Sequence, residues 1–173
     1  MELKQAALTD FTQILAIIKD GTGQLAQSGI NQWQGQYPSV AHIKEDIENG
    51  HAYLAINEGG QTVGTIAIVE TPEEVYEKIN GELQRVHNEY VVVHRVAVRS
   101  KYAGHGYATQ MLRAAIDLVH SEKPGVSSIM IDTHENNKAM QHLIKKIGFE
   151  QIASFDGIYH PGELSYAYEY NLK

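Results

Sequence analysis

Residues 89 to 122, EYVVVHRVAVRSKYAGHGYATQMLRAAIDLVHSE, set the frame of this chain. EYVVVHRVAV, 89–98, is apolar on both faces of an extended backbone, which predicts a central strand covered on both sides. Two glycines around His105 close that strand. Ala108, Met111, Leu112, Ala115 and Val119 then recur at about 3.6-residue spacing, the pattern of a helix with one apolar face. A strand buried on both faces that passes through a glycine turn into a helix requires layers on either side of a sheet, so an α/β (α+β) architecture follows. The turn also has chemistry. A helix N-terminus leaves backbone N–H groups unpaired and carries the positive end of the helix dipole. Such a corner cradles phosphate in several folds and is a plain tight turn in others.

The flanking segments supply the other layers. Asp10 with Gln13 reads as a capping box before a helix built on Phe11, Ile14, Leu15 and Ile18. GTGQLAQSGINQWQGQYPS, 21–39, reads as the end of that helix plus an irregular connection carrying Trp33 and Tyr37, and 41–49 as a short second helix. HAYLAIN (51–57) and TVGTIAIVE (62–70) read as a hairpin around EGGQ. Residues 71–86 are polar and helix-capable, an excursion before the central strand. SSIMIDT (127–133) is a further strand. Asn136 or Asn137 then caps a helix that buries Met140, Leu143, Ile144 and Ile147 and stops at Gly148. FEQIASF and LSYAYEYNL close the chain as an antiparallel pair. With no repeat or linker, residues 1–173 are expected to form a single domain.

Composition narrows the function. A formal charge of -7 opposes nucleic acid and anionic membranes as partners. No apolar run approaches the length of about 18 residues that spans a bilayer, and no signal peptide is read, so a cytoplasmic location is expected. Cysteine is absent, which removes disulfides and thiolate metal sites. The nine histidines show no H-E-x-x-H spacing, so no metal is expected. Against that acidic background, Val91 to Ile116 holds Arg95, Arg99, Lys101 and Arg113 and no carboxylate, a setting for an anion.

Two phosphate motifs can be tested at the turn. The P-loop pattern fails because no lysine follows Gly106. The dinucleotide pattern G-x-G-x-x-G/A is broken by Thr109, and Asp132 lies further on than the acid that motif requires. By contrast, VHRVAVRSKYAGHGYATQML is similar to the coenzyme A-binding segment of the GCN5-related N-acetyltransferases, the GNAT family: a valine-rich strand, then R/Q-x-x-G-x-G/A opening a helix. DTHENNKAMQHLIKKIGFE resembles the family's second hallmark, in which an asparagine follows a strand and a helix ends in Gly-Phe, here Asn137, Gly148 and Phe149.

That resemblance implies a mixed sheet of six or seven strands, splayed in the middle and flanked by about four helices. It implies an acetyl-CoA-dependent N-acetyltransferase whose donor is attacked directly by an amine, with no metal. The coenzyme A site would comprise Val96, Ala97 and Val98 on the strand, Ala103, Gly104, His105, Gly106, Tyr107, Ala108 and Thr109 at the corner, and Asn137. Asp132 and His94 are the catalytic candidates, with His134 nearby. Trp33, Tyr37, Tyr159 and His160 are expected to line the acceptor site for a small-molecule or peptide amine, and a homodimer is left open. The sequence departs from the family pattern at Ala103, where Arg or Gln begins the signature, and at Ile144, where many members carry a proton-donating tyrosine. Tyr159, Tyr166 and Tyr168 are the replacements to consider. A non-catalytic acyl-CoA-binding or regulatory domain of the same fold is the alternative.

Overall fold

Tyr90–Val98 forms β4, the fourth of seven strands in one sheet. The computed structural model describes residues 1–70, 72–82, 90–156 and 161–172. Around β4 lie β1 (Glu2–Gln5), α1 (Phe11–Gln27), α2 (Val40–Glu48), β2 (Ala52–Ile56), β3 (Thr62–Val69) and α3 (Glu74–Glu82). After it come α4 (Tyr107–Glu122), β5 (Ser128–His134), α5 (Lys138–Ile147), β6 (Glu150–Asp156) and β7 (Leu164–Asn171). The order is β1-β2-β3-β4-β5-β7-β6. β1 to β4 form an antiparallel meander, α4 makes a crossover to the parallel β5, and β7 inserts antiparallel between β5 and β6.

The expected two-sided burial of β4 holds. Val91 and Val93 pack with Met111, Leu112 and Val119 of α4 and Ile144 of α5 on one face. Tyr90 and Val92 pack with Tyr76 and Ile79 of α3 on the other. α1 and α2 cover the rest of that second face, Ile14 and Ile17 of α1 and Ile43 of α2 packing with Leu54 of β2. Each fully buried aliphatic side chain contributes about 1.5–3 kcal/mol, so the sheet is clamped from both sides.

Halfway along, β4 leaves β5. Their parallel pairing ends at Val93↔Ile131, while β4 continues to Val98 paired only with β3. The register with β3 slips between Thr65↔Ala97 and Ala67↔His94, which places an extra residue on β4. Arg95 sits in this bulge with φ 53, a left-handed conformation rare for a side-chain-bearing residue. The splay expected in the middle of the sheet is this divergence.

Three local expectations change. β1 was not foreseen, because its mostly exposed ELKQ carries no alternation to read. α1 runs to Gln27, through glycines that looked like a helix end. A Cβ on Gly21 would lie 3.2 Å from the Ala97 Cβ, so that glycine lets α1 approach β4 rather than turning the chain. Asp10 makes no box with Gln13; its Oδ2 accepts the Ala7 N–H at 2.9 Å and closes the preceding turn.

Candidate active site

The divergence of β4 from β5 opens a cavity of about 180 Å³ whose walls include Gly21, Trp33, Val96, Val98, Ala108 and Asn137. Arg99 donates its N–H to Val63 of β3, so strand alternation turns the backbone groups of Val96 and Val98 toward the opening. The Val98 carbonyl confirms that direction by accepting from Gln24 Nε2 of α1 at 2.9 Å. Ala97, the residue between them, pairs with Thr65 of β3.

At the far end of the strand the chain makes one short turn, Ser100–Tyr102, then Ala103, and enters α4 through Gly104 (φ 78) and Gly106 (φ 74). A Cβ at either glycine would meet nothing within 4 Å, so both are required by backbone conformation and the space over them is open. The first bond of α4 runs from Gln110 N–H to Gly106 C=O. That leaves the N–H groups of Tyr107, Ala108 and Thr109 without intrahelical acceptors. His105 Nδ1–H donates to Ala103 C=O at 2.9 Å, and its ring stacks on Tyr107. Asp20 of α1 pins the corner from below: its Oδ2 accepts from Ser100 N–H at 2.8 Å and Ser100 Oγ at 3.0 Å.

Asn137 borders the opening but is engaged on both sides. Its Oδ1 caps α5 by accepting from Met140 N–H, and its Nδ2 donates to Gln32 Oε1 at 2.9 Å. Gln32 also accepts from Thr133 Oγ1. His134 is fully buried rather than a solvated loop residue. Asn136 N–H donates to its Nδ1, so the hydrogen is on Nε2 and is donated to Glu163 at 2.9 Å. Neutral and latched in this way, His134 joins the loop before β7 to the end of β5.

A second cavity, about 380 Å³, adjoins the first, and Tyr37, His94, Arg95 and Asp132 line both. The Arg95 guanidinium, its side chain 10% exposed, grips both carboxylate oxygens of Asp46 on α2 and donates to Tyr37 Oη at 2.7 Å. Burial opposes its charge, but Tyr37 and Asp46 outweigh that and raise its pKa above the usual value. Burial also pushes the Tyr37 phenol up to about 12, against the pull of Arg95. From α3 and the residue before it, Glu73 Oε1 meets His94 Nε2 at 2.6 Å and Tyr76 Oη donates to Asp132 Oδ2 at 2.7 Å. Among the described residues, four carboxylates (Glu45, Asp46, Glu73 and Asp132) line this cavity against the guanidinium of Arg95. Its electrostatic character suits a cation.

Asp132 and His94 therefore come together at the junction of the cavities, with Tyr37. Trp33 walls the first cavity and is also an anchor of the core, 8% exposed. Tyr159 and His160 lie outside the described residues. Ile144 is fully buried beneath the sheet, and neither Tyr166 nor Tyr168 lines either cavity; both pack on the α4–α5 face. The residues missed from sequence are those that reach the site from afar: Asp20, Gln24, Gln32, Asp46, Glu73 and Tyr76. Arg95, read from sequence as part of a setting for an anion, is instead paired with the Asp46 carboxylate. Among the described residues no group of His, Asp and Glu could hold a metal ion, and no helix is long and apolar enough to cross a membrane.

Comparison with known proteins gives a consistent result. A model of the acetyltransferase (GNAT) family matches residues 22–149. The uncharacterized N-acetyltransferase YesJ of Bacillus subtilis is 24% identical over 157 residues, covering 90% of this chain and 84% of that protein. A GNAT-family acetyltransferase from Streptococcus agalactiae superimposes with a TM-score of 0.81 at 28% identity, over 98% of this chain and 94% of the other. A counterpart from Listeria monocytogenes, 24% identical, shares the fold with a TM-score of 0.77 over 98% and 94% of the two chains.

Proposed function

Because this chain belongs to the GNAT family of acetyltransferases and is an acyltransferase, we propose that it moves an acetyl group from acetyl-CoA to an amine, with residues 1–173 acting as one domain. The observation that carries this reading is the continuity of the site: the opening beside β4 borders α4 at Ala108 and merges with the carboxylate-lined cavity at Tyr37, His94, Arg95 and Asp132.

In this reading the N–H groups of residues 104–109 take the pyrophosphate, helped by the dipole of α4 and by the absence of carboxylates from Val91 to Ile116. Val96 and Val98 hold the pantetheine arm as an added strand, and the Val96 N–H polarises the thioester carbonyl. Asn137 reaches the arm with the hydrogen and lone pair that its present partners leave over. Ala103 contributes backbone alone. The amine enters through the second cavity past Tyr37, and the carboxylates there favour a positively charged small molecule or a protein amino group. Asp132 and His94 stand where its proton must leave. A cytoplasmic setting accords with the cysteine-free composition.

Titration calorimetry with acetyl-CoA, followed by thiol release across a panel of primary amines, tests this reading. Binding that is lost in Gly106→Trp, together with amine-dependent thiol release, is the expected result. Absence of acetyl-CoA binding, or Gly106→Trp binding as tightly as wild type, overturns the donor site. Binding without release on any amine overturns the transfer.

A further inference from the structure

We infer that the segment inserted between β3 and β4 supplies half of the proton-accepting machinery: Glu73 holds the His94 imidazole by Nε2, and His94 Nδ1 takes the proton of the attacking amine. The inference rests on the amine acetylation proposed above. Glu73 precedes α3, and its carbonyl accepts the Glu77 N–H at 2.8 Å, so it starts the helix and is fixed by it. Three residues on, Tyr76 presents its ring edge-on to His94, with centroids 6.5 Å apart. Tyr90 Oη donates to Glu77 and ties the same helix to the beginning of β4.

The chemistry of the contact decides which nitrogen is available. A carboxylate only accepts, so the 2.6 Å contact places a hydrogen on Nε2 and leaves the Nδ1 lone pair as the basic one. The imidazole is 12% exposed, reachable from the cavities and otherwise wedged. Of the other groups at the cavity junction, Tyr37 keeps its proton far above neutrality and Arg95 is a paired cation, while Asp132 shares the junction with its Oδ2 accepting from Tyr76. His42 and His51 line the second cavity alone, and His42 Nδ1 accepts from Ser39 N–H at the start of α2.

The step balances without a redox partner. As the neutral amine bonds to the acetyl carbon, one N–H hydrogen passes to His94 Nδ1, and the carbon–sulfur bond breaks to release the coenzyme thiolate. Water protonates the thiolate, and the imidazolium, held by the Glu73 carboxylate, returns its proton to solvent. His94 is the catalytic residue and Glu73 a positioning residue.

Full-length Glu73→Gln, Glu73→Asp and His94→Gln enzymes, assayed with the amine of the panel that releases thiol fastest, test the assignment. His94→Gln is expected to lower kcat by about 10²–10⁴-fold, the range of a lost general base. Glu73→Gln should lower kcat by about 10-fold or more while the acetyl-CoA KM stays within about twofold, and Glu73→Asp should recover part of the loss. The double variant Glu73→Gln/His94→Gln should be no slower than His94→Gln alone, since the two act as a unit. Nitrogen-15 spectra of the free protein should show the His94 hydrogen on Nε2. A hydrogen on Nδ1 instead, wild-type kcat in Glu73→Gln, or a slow Glu73→Gln beside a fast His94→Gln overturns the inference. Thiol release by wild type that survives in both single variants removes the inference alone. Wild type releasing no thiol with any amine removes the transfer reading as well.

Discussion

Arg95 shows how one side chain can hold a site together. It occupies a left-handed backbone position in the β4 bulge, and its guanidinium bridges Asp46 on α2 and Tyr37 before that helix. Removing one partner of a buried ion pair strands the other charge, which costs about 3–5 kcal/mol. Arg95→Ala should therefore lower the urea-unfolding free energy by about 3 kcal/mol. Combining it with Asp46→Ala should cost less than the sum of the single changes, and an additive cycle would deny the coupling. Tyr37 gives a pH signature. Its folded pKa lies above that of the unfolded phenol, so the folded state retains a proton that the unfolded chain gives up. The associated stability is complete below about pH 10 and is lost as pH rises toward about 12, at roughly 1.4 kcal/mol per unit. Tyr37→Phe should flatten that alkaline limb in denaturant titrations taken at successive pH values. None of this was legible in sequence, because an arginine in a valine strand announces a charge without naming its partner.

Among the elements, β3 and α4 depend on glycines for different reasons. A Cβ on Gly64 would lie 2.5 Å from the Ala97 carbonyl oxygen and 3.3 Å from Met111 Sδ. The first obstacle is backbone, so Gly64→Ala must push β4 away where it borders the opening. A loss of about 1–3 kcal/mol, the scale of overpacking, with weaker acetyl-CoA binding, should appear in chemical unfolding and calorimetry. Gly106 faces open space, and there only its φ of 74 resists a side chain. Gly106→Ala should cost about 1–2 kcal/mol, the penalty of the left-handed region, with little repacking. The turn glycines stood out in sequence because they interrupt a strand–helix junction. Gly64 did not, since a glycine within a strand does not reveal which backbone crosses it.

Over the whole molecule, three elements from distant parts of the chain converge on the gap between β4 and β5. α1 lends Asp20 and Gln24, the connection after it lends Gln32 and Tyr37, and the segment leading into α3 lends Glu73. A ligand that binds only the folded state at about 100 times its Kd adds about 2.7 kcal/mol. Acetyl-CoA at such excess should raise Tm by about 5–10 °C for a chain of this size, whereas NAD should leave it unchanged. An equal shift with NAD would favour the dinucleotide alternative. The sequence by itself determined the central strand, the glycine corner, the helices α4 and α5 and the family to which they belong, since each is written in contiguous residues by hydrophobic period and turn chemistry. Tertiary structure alone decided where β4 parts from β5, and which carboxylates and phenols face His94, Asp132 and Arg95. Those contacts join residues up to 58 positions apart, as Tyr37 and Arg95 are. Such pairs form only once the sheet brings its strands together, and no local periodicity encodes them.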